Sequence, residues 1–311
     1  MSQGQSSESK ELQVLEITRT RANLLKYIRE FFTHRGFWEV DTPILIPYPL
    51  PEAHIDPVKA DGGYLHPSPE LSMKRLLACG CSKIYQIARC FRAEESGALH
   101  LREFLMLEWY ETEKDYWDMM EQTEALIKYV VQSLFNTKEI FYRGTKIDLK
   151  SPWPRLSFRE TFLRTTGVTP EKAIEEDRFE ELIVDYLEPS LPKDRPCFLV
   201  DYPSQVASLA KLKDPYTAER FELYIAGVEI ANGFSELTDP YEQEQRFIKE
   251  NQIRQRHGKD TFPIPKGFLS GLAEIKKAGG VAMGLDRLLA IITGKGEIAL
   301  TQPITFNDLI H

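Results

Sequence analysis

Three short stretches of this chain hold residue types that can do chemistry. The first is Arg92-Ala93-Glu94, then a polar turn, then His100-Leu101-Arg102-Glu103-Phe104 and Glu108-Trp109-Tyr110. An arginine at a strand end can clamp a phosphate or carboxylate through paired hydrogen bonds. A hairpin sets it opposite acids on the returning strand. A solvated hairpin with cross-strand ion pairs explains the same residues. The second stretch runs from Glu222 through Glu229, Ile230, Asn232 and Phe234 to Glu236. Its three carboxylates and one amide interrupt an otherwise apolar, strand-like run. Buried carboxylates need partners or a metal. Oxygen-only ligands suit magnesium between substrate phosphates, and one glutamate can instead receive a substrate ammonium. An amphipathic edge hairpin with its acids in water accounts for Glu222 but gives no reason for Asn232-Gly233-Phe234. The third stretch is Ala282-Met283-Gly284-Leu285-Asp286-Arg287. A glycine lets a strand approach a ligand closely. An arginine in the first turn of the following helix reaches the same ligand, near the positive end of the helix dipole. The alternative is a plain strand-to-helix turn with a surface Asp-Arg pair.

These stretches need elements to hold them. Residues 21–36 read as a helix, with Leu24, Leu25, Ile28, Phe31 and Phe32 on one face and Gly36 as its stop. Phe37 to Val40 reads as a short strand, and Pro47, Pro49 and Pro51 mark a loop. Ser68 to Ala78 reads as a second helix with Pro69 early and Glu70 in its first turn. Residues 83–92 and 103–111 read as paired strands, and 115–135 as a long amphipathic helix. Residues 219–237 form a further strand pair turning at Ala226-Gly227, and 239–256 a polar helix. Gly279 to Gly284 is a strand running into a helix from Leu285. The stretch 140–198 is charged and weakly periodic and is expected to be a peripheral insertion. Hairpins with helices between them predict an α+β fold: an antiparallel β-sheet flanked by helices.

The bulk properties set limits. The 311 residues, 42% hydrophobic and 28% charged, suit one large catalytic domain with a full core. The polar, Ser/Gln-rich start predicts a disordered tail over 1–14, with the domain over 15–311; no apolar h-region marks a secretory signal. No apolar run is long enough to span a bilayer. Four cysteines, with no second Cys/His pair at zinc spacing, suit a reducing, cytoplasmic setting. A net charge of −8 without a dense Lys/Arg block argues against a dedicated nucleic-acid binder.

Together and in this order, the three stretches resemble motifs 1, 2 and 3 of the class II aminoacyl-tRNA synthetases. The helix and strand ending at Pro43 stand for motif 1, Phe91-Arg92-Ala93-Glu94 through Glu103-Phe104 for motif 2, and Gly284 through Arg287 for motif 3. Ser68-Pro69-Glu70-Leu71, Phe104 to Tyr110, and Glu229-Ile230-Ala231-Asn232-Gly233-Phe234-Ser235-Glu236 are similar to the lysyl branch. The resemblance covers roughly 15–305. Motif 1 begins almost at the first residue, so the anticodon-gripping OB-fold of a lysyl-tRNA synthetase is expected to be absent. The chain therefore resembles the elongation factor P–(R)-β-lysine ligase family most closely. Pro203 to Ala210 is similar to a signature of that family, and Ala282 stands where lysyl-tRNA synthetases usually have glycine.

The resemblance implies the class II synthetase catalytic fold and a two-step reaction. Lysine or (R)-β-lysine attacks the α-phosphate of ATP, and a lysine amine of elongation factor P then takes the aminoacyl group. ATP and Mg2+ are the implied cofactors. Arg92 would hold the α-phosphate and substrate carboxylate, Glu94 the adenine, and Arg287 the γ-phosphate. Ala93, His100, Leu101, Phe104, Ile230 and Gly284 would complete the nucleotide site, with Glu222 and Glu229 on the metal. Glu236 and Tyr110, with Glu108 nearby, would receive the side-chain ammonium. Ser68, Pro69 and Glu70 would meet the amino end, and Asn232, Phe234 and Ala282 would wall the pocket. The sequence departs from the family at Leu101 and Ala93, both commonly asparagine. A homodimer is expected, its interface sharing the apolar face at Leu24, Ile28 and Phe31, with no stable tRNA complex. The rival readings are a lysyl-tRNA synthetase-like enzyme charging tRNA, and a non-catalytic paralogue. The second predicts loss of Arg92, Glu222, Glu229 or Arg287, all of which are present.

Overall fold

A computed structural model describes residues 2–93, 97–150 and 152–310. In chain order the N-terminal part holds α1 (Ser2–Thr33), β1 (Trp38–Glu39), β2 (Leu45–Ile46), β3 (Val58–Ala60), β4 (Gly63–Leu65) and α2 (Glu70–Ala78). Then come β5 (Lys83–Phe91), β6 (Glu103–Thr112), α3 (Tyr116–Phe135), β7 (Glu139–Tyr142), β8 (Thr145–Asp148) and β9 (Arg155–Ser157). Four short helices follow: α4 (Phe158–Thr166), α5 (Pro170–Glu175), α6 (Phe179–Leu182) and α7 (Glu188–Ser190). The last third holds β10 (Cys197–Pro203), β11 (Leu212–Asp214), β12 (Thr217–Ile225) and β13 (Val228–Ser235). It closes with α8 (Pro240–Arg256), α9 (Lys266–Leu272), β14 (Ala278–Gly284) and α10 (Leu285–Ile292).

Nine strands form one sheet in the order β1-β5-β6-β14-β13-β12-β10-β9, with β11 added to β12. The pairs from β5 to β10 are antiparallel, while β1 and β9 join the two edges in parallel. The sheet is thus mixed at its rims and antiparallel through its centre, as the hairpin pattern leads one to expect. β12 and β13 are joined by Ala226-Gly227, both at positive φ (54° and 77°), the two-residue turn that matches strand twist.

Register decides which residues share a face. One row across the sheet reads Gln86, Glu108, Ala282, Asn232, Glu222; the next reads Ile84, Tyr110, Gly280, Phe234, Arg220. Side chains alternate along a strand, so both rows point to one side. The intervening residues Leu107, Trp109, Val281, Met283, Ala231 and Phe221 point to the other, into the main core with residues of α1, α3 and α10. Apolar burial on one face therefore fixes the polar row on the opposite face, because a one-residue slip would invert both. α3 is held in place by a capping box between Asp115 and Asp118 and ends at Asn136 in the left-handed region.

The structure revises three expectations. α1 runs from Ser2, so helix replaces the polar tail expected over 1–14; Glu, Lys and Gln are good helix formers despite their polarity. Leu24, Ile28 and Phe31, expected to be shared with a twofold mate, are at most 1% exposed within the chain itself. Their face is used up by α3 and the sheet. The stretch 140–198 is less peripheral than its composition suggests. β9 forms a sheet edge, and Phe158, Phe162, Phe179 and Leu187 pack over Cys197, Leu199 and Tyr224 as a second core.

One buried side chain ties the three motif regions together. Asp286, 2% exposed in α10, accepts from the Leu105 backbone N–H of β6 at 2.7 Å and from Arg21 Nη1 of α1 at 2.5 Å. The start of α10, and with it Arg287, is thereby fixed relative to the arm that carries Arg92.

Candidate active site

The polar face of the sheet gathers the candidate residues into two adjoining groups. The first lies where β6, β13 and β14 meet α2. Ser68 Oγ donates to Glu108 Oε2 at 2.7 Å and accepts the Glu70 backbone N–H at 3.0 Å, so one hydroxyl both starts the helix and orients a carboxylate. Pro69 is the N-cap residue of α2. Tyr110 donates a short hydrogen bond to Glu108 Oε1. Glu108, Tyr110 and Glu236 are 1%, 2% and 3% exposed. Gly280 makes this possible: a Cβ there would collide with both the Glu236 carboxylate and the Tyr110 ring. Phe234 closes one wall and Ala282, paired with both Glu108 and Asn232, forms part of the floor.

A residue that the sequence does not single out sits at the centre of this group. Lys74 of α2 is 2% exposed, and its Nζ lies 2.5 Å from Glu70 and 2.5 Å from Glu236, over the Phe234 ring at 5.3 Å. Burial pushes the Glu236 carboxyl up to about 8, with Lys74 opposing and Glu70 adding to the shift. Burial, reinforced by Glu70, likewise pushes Glu108 up to about 8. Three carboxylates around one ammonium leave more negative charge than Lys74 can balance. Glu52 adds to this: desolvation and Glu70 push its carboxyl up to about 7, against the pull of Arg92.

Glu52 arrives from the proline loop by a route sequence spacing does not reveal. Arg254 of α8, 2% exposed, donates to the carbonyls of Glu52 and Ile55 at 2.9 Å and to Asp56 at 3.0 Å. Glu250 of the same helix accepts the Ala53 backbone N–H at 2.8 Å. α8 is thus the clamp for this loop.

The second group is built around Arg287. Its Nε donates to the Leu99 carbonyl at 3.1 Å, its Nη1 to the Glu229 carbonyl at 3.2 Å, and its Nη2 lies 2.5 Å from His100 Nε2. The motif 2 turn, Glu229 and α10 are therefore brought together by one guanidinium. Arg92 lies over the Phe104 ring at 5.1 Å, and Ala93 is fixed by its N–H to the Asp56 carbonyl at 2.7 Å. Leu101 is half-buried beside His100. Ile230 points into the main core at 2% exposure, so only its backbone is available to a nucleotide. At Gly284 an added Cβ would meet only the Arg287 side chain, at 3.7 Å, so the protein itself does not require glycine there. Glu94, expected to contact adenine, lies outside the described residues.

Glu222 joins this group through Arg220, which also carries no signal in the sequence. Arg220 donates to Glu222 at 2.7 Å and to Asn232 Oδ1 at 3.2 Å, spanning the two rows of the sheet. Tyr224 OH donates to Glu222 at 2.8 Å. Burial and the neighbouring Glu229 still push the Glu222 carboxyl upward. Desolvation, then the charges of Glu229 and Glu222, push Glu188 of α7 up to about 7. This surplus of negative oxygen donors fits a hard divalent cation. Among the described residues no three metal-ligating side chains converge.

Arg92, Arg287, a set of buried and half-buried carboxylates and the Lys74 ammonium thus lie on one side of a largely antiparallel sheet flanked by helices, the architecture of a class II synthetase. Comparison with known proteins agrees: residues 8–305 match the family described as tRNA synthetases class II (D, K and N), and the chain belongs to that family. Among its relatives, an elongation factor P–(R)-β-lysine ligase of Enterobacter sp. (strain 638) is 37% identical over 303 residues, covering 90% of this chain and 91% of the relative. The corresponding ligase of Pectobacterium atrosepticum is 38% identical over 291 residues, 87% of this chain and 89% of the relative. A lysine–tRNA ligase of Pelotomaculum thermopropionicum is 36% identical over 318 residues, but the match spans 92% of this chain and only 62% of that enzyme.

Proposed function

We propose that this chain is an ATP-dependent ligase that activates lysine or (R)-β-lysine as an aminoacyl-adenylate and transfers it to a lysine side chain of elongation factor P. The observation that carries the reading is the pocket of Glu70, Glu108 and Glu236: Glu70 and Glu236 share the Lys74 ammonium, and the buried Glu108 is held by the Ser68 and Tyr110 hydroxyls. Such a pocket favours a ligand bringing positive charge, and a diamino acid brings two. Arg92 takes the substrate carboxylate and the α-phosphate, and Arg287 takes the γ-phosphate. Glu222 and Glu229 would hold magnesium, which when bound shields phosphate charge. With the two anions held in line, the barrier is lowered chiefly by position and electrostatics. The match to the Enterobacter and Pectobacterium ligases over 91% and 89% of their lengths supports elongation factor P as acceptor. The 36% identity to the Pelotomaculum enzyme favours tRNA as the second reading. The pocket serves both readings, so the acceptor alone separates them. ATP as cosubstrate and four unpaired cysteines fit a cytoplasmic setting. Among the described residues no helix is long and apolar enough to cross a membrane.

The first test is pyrophosphate exchange. ATP–pyrophosphate exchange is expected to depend on lysine or (R)-β-lysine and to be absent with other amino acids. Exchange with a neutral amino acid such as leucine would remove the reading.

The carboxyl shifts give a pH dependence. Burial holds the Glu108 and Glu236 carboxyls above the usual carboxylate range, at about 8. A raised carboxyl stabilises the fold below its unfolded value, and that stability is lost as pH rises through the folded value. An arriving ammonium favours the ionised forms, so binding releases protons below about pH 8. Lysine affinity is expected to rise from pH 6 to about 8, by up to roughly tenfold per unit for one proton released. At pH 7 the calorimetric heat should change with the ionisation enthalpy of the buffer. A flat affinity over this range would contradict the assignment.

We also propose a homodimer through the exposed side of the motif 1 elements rather than through Leu24, Ile28 and Phe31. Trp38 at 66% exposure and Leu15 at 56% supply apolar surface there. A C2 interface would bury both copies at once. Light scattering at micromolar concentration is expected to give twice the chain mass, and a monodisperse monomer would remove the proposal.

A further inference from the structure

The Lys74 ammonium contacts Glu236 directly, the carboxylate that the proposed reading gives to the substrate's side-chain ammonium. It is not a surface lysine folded inward. Lys74 is fixed on the buried side of a nine-residue helix, whose Met73 and Leu77 anchor it in the core. In the proposed reading both its partners, Glu70 and Glu236, meet the substrate, and one rigid cation 2.5 Å from each draws the two carboxylates together. Tyr110 and Glu108 face it from β6, Phe234 from β13, and the charges of Glu52 and Arg92 reach the same group from the loop and β5 end.

We infer that Lys74 is a positioning residue that sets the charge the pocket accepts and holds the Glu70 and Glu236 carboxylates in place for the substrate's ammonium. This rests on the proposed reading of the pocket. Lys74 answers part of the negative charge of Glu70, Glu108 and Glu236, and the remainder is left for the ammoniums of lysine or β-lysine. Without Lys74, Glu70 and Glu236 face each other with only protons to relieve them. They would take up protons and move apart, and each protonated carboxyl is a weaker ammonium acceptor. The adenylate chemistry, at Arg92 and Arg287, does not pass through Lys74.

The test is Lys74→Met, read by lysine-dependent pyrophosphate exchange across pH 6 to 9. The expected result is a rise in KM for lysine of roughly tenfold or more, with kcat and the KM for ATP changed by less than about threefold. The defect should shrink as pH rises, because loss of Lys74 raises the pH at which Glu236 ionises. A purely structural role would lower the folded fraction and kcat alike and leave the pH profile of KM in place. If Lys74→Met does not fold, Lys74→Met combined with Glu70→Gln restores the charge balance. It should recover folding and ATP binding but not the lysine KM, and failure of that pair to fold would overturn the inference. So would an unchanged KM and pH profile in Lys74→Met. Glu236→Gln separates the two claims: if it leaves lysine use intact, the pocket reading itself fails. If it abolishes lysine use while Lys74→Met is silent, only the role of Lys74 fails.

Discussion

Glu236→Gln is expected to reduce kcat/KM for lysine by about 10² to 10⁴, the equivalent of roughly 3–5 kcal/mol for stranding a buried charge without its partner. The geometry explains why the loss should fall on lysine and not on ATP. Glu236 is 3% exposed and lies against Gly280 and Lys74, whereas Arg287 is engaged by Leu99, Glu229 and His100. Glutamine keeps its size and one acceptor oxygen but carries no charge. The Lys74 ammonium retains Glu70 as a partner at 2.5 Å, so the fold should survive. ATP affinity should stay within about threefold, since uniform binding of the other substrate is untouched. Equal loss of ATP and lysine binding would mean the pocket had collapsed, and unchanged lysine use would place the ammonium elsewhere.

Arg287→Ala is the complementary experiment at the other end of the site. Its guanidinium contacts the Leu99 carbonyl, His100 and Glu229 together, which no smaller side chain can do. In the proposed function it holds the γ-phosphate, so its removal is expected to have an effect on the order of 10²–10³ in kcat. The exchange rate should fall by that factor while the KM for lysine holds. The Arg287→Lys variant keeps the charge but loses the fork geometry, and should lie between wild type and alanine. An exchange rate within about threefold of wild type in Arg287→Ala would remove Arg287 from the catalytic arrangement.

Much of this site is legible in the sequence because it lies on strands with strong alternation. Glu108 and Tyr110, or Asn232, Phe234 and Glu236, are two apart, and that spacing alone puts them on one face. Their partners across the sheet depend on pairing, which the order of motifs 2 and 3 implies and the register shows. Lys74 is not legible, for a physical reason. A lysine four residues after a glutamate on a helix reads as a solvent-exposed ion pair, and lysine is almost never fully buried without partners. Its second partner, Glu236, comes from the other end of the chain. Arg220 and Glu52 escape for similar reasons. Arg220 looks like an outward residue of a hairpin until Asn232 and Glu222 are placed beside it. Glu52 looks like part of a loop until Arg254 is seen to hold it. The start of α1 misleads because its polarity conceals good helix formers. Leu24, Ile28 and Phe31 mislead because a helical stripe does not say which partner covers it.

Acceptor mass distinguishes elongation factor P from tRNA as the group that receives the activated amino acid. The purified protein would be incubated with ATP and either lysine or (R)-β-lysine, in parallel with elongation factor P and with tRNA, and both acceptors weighed by intact mass spectrometry. Elongation factor P is expected to gain the mass of one lysyl residue while tRNA stays uncharged. The −8 net charge fits this, because it gives no general attraction to a polyanion. Efficient charging of tRNA with elongation factor P unmodified would contradict it, and would make the chain a lysyl-tRNA synthetase-like enzyme with the same pocket.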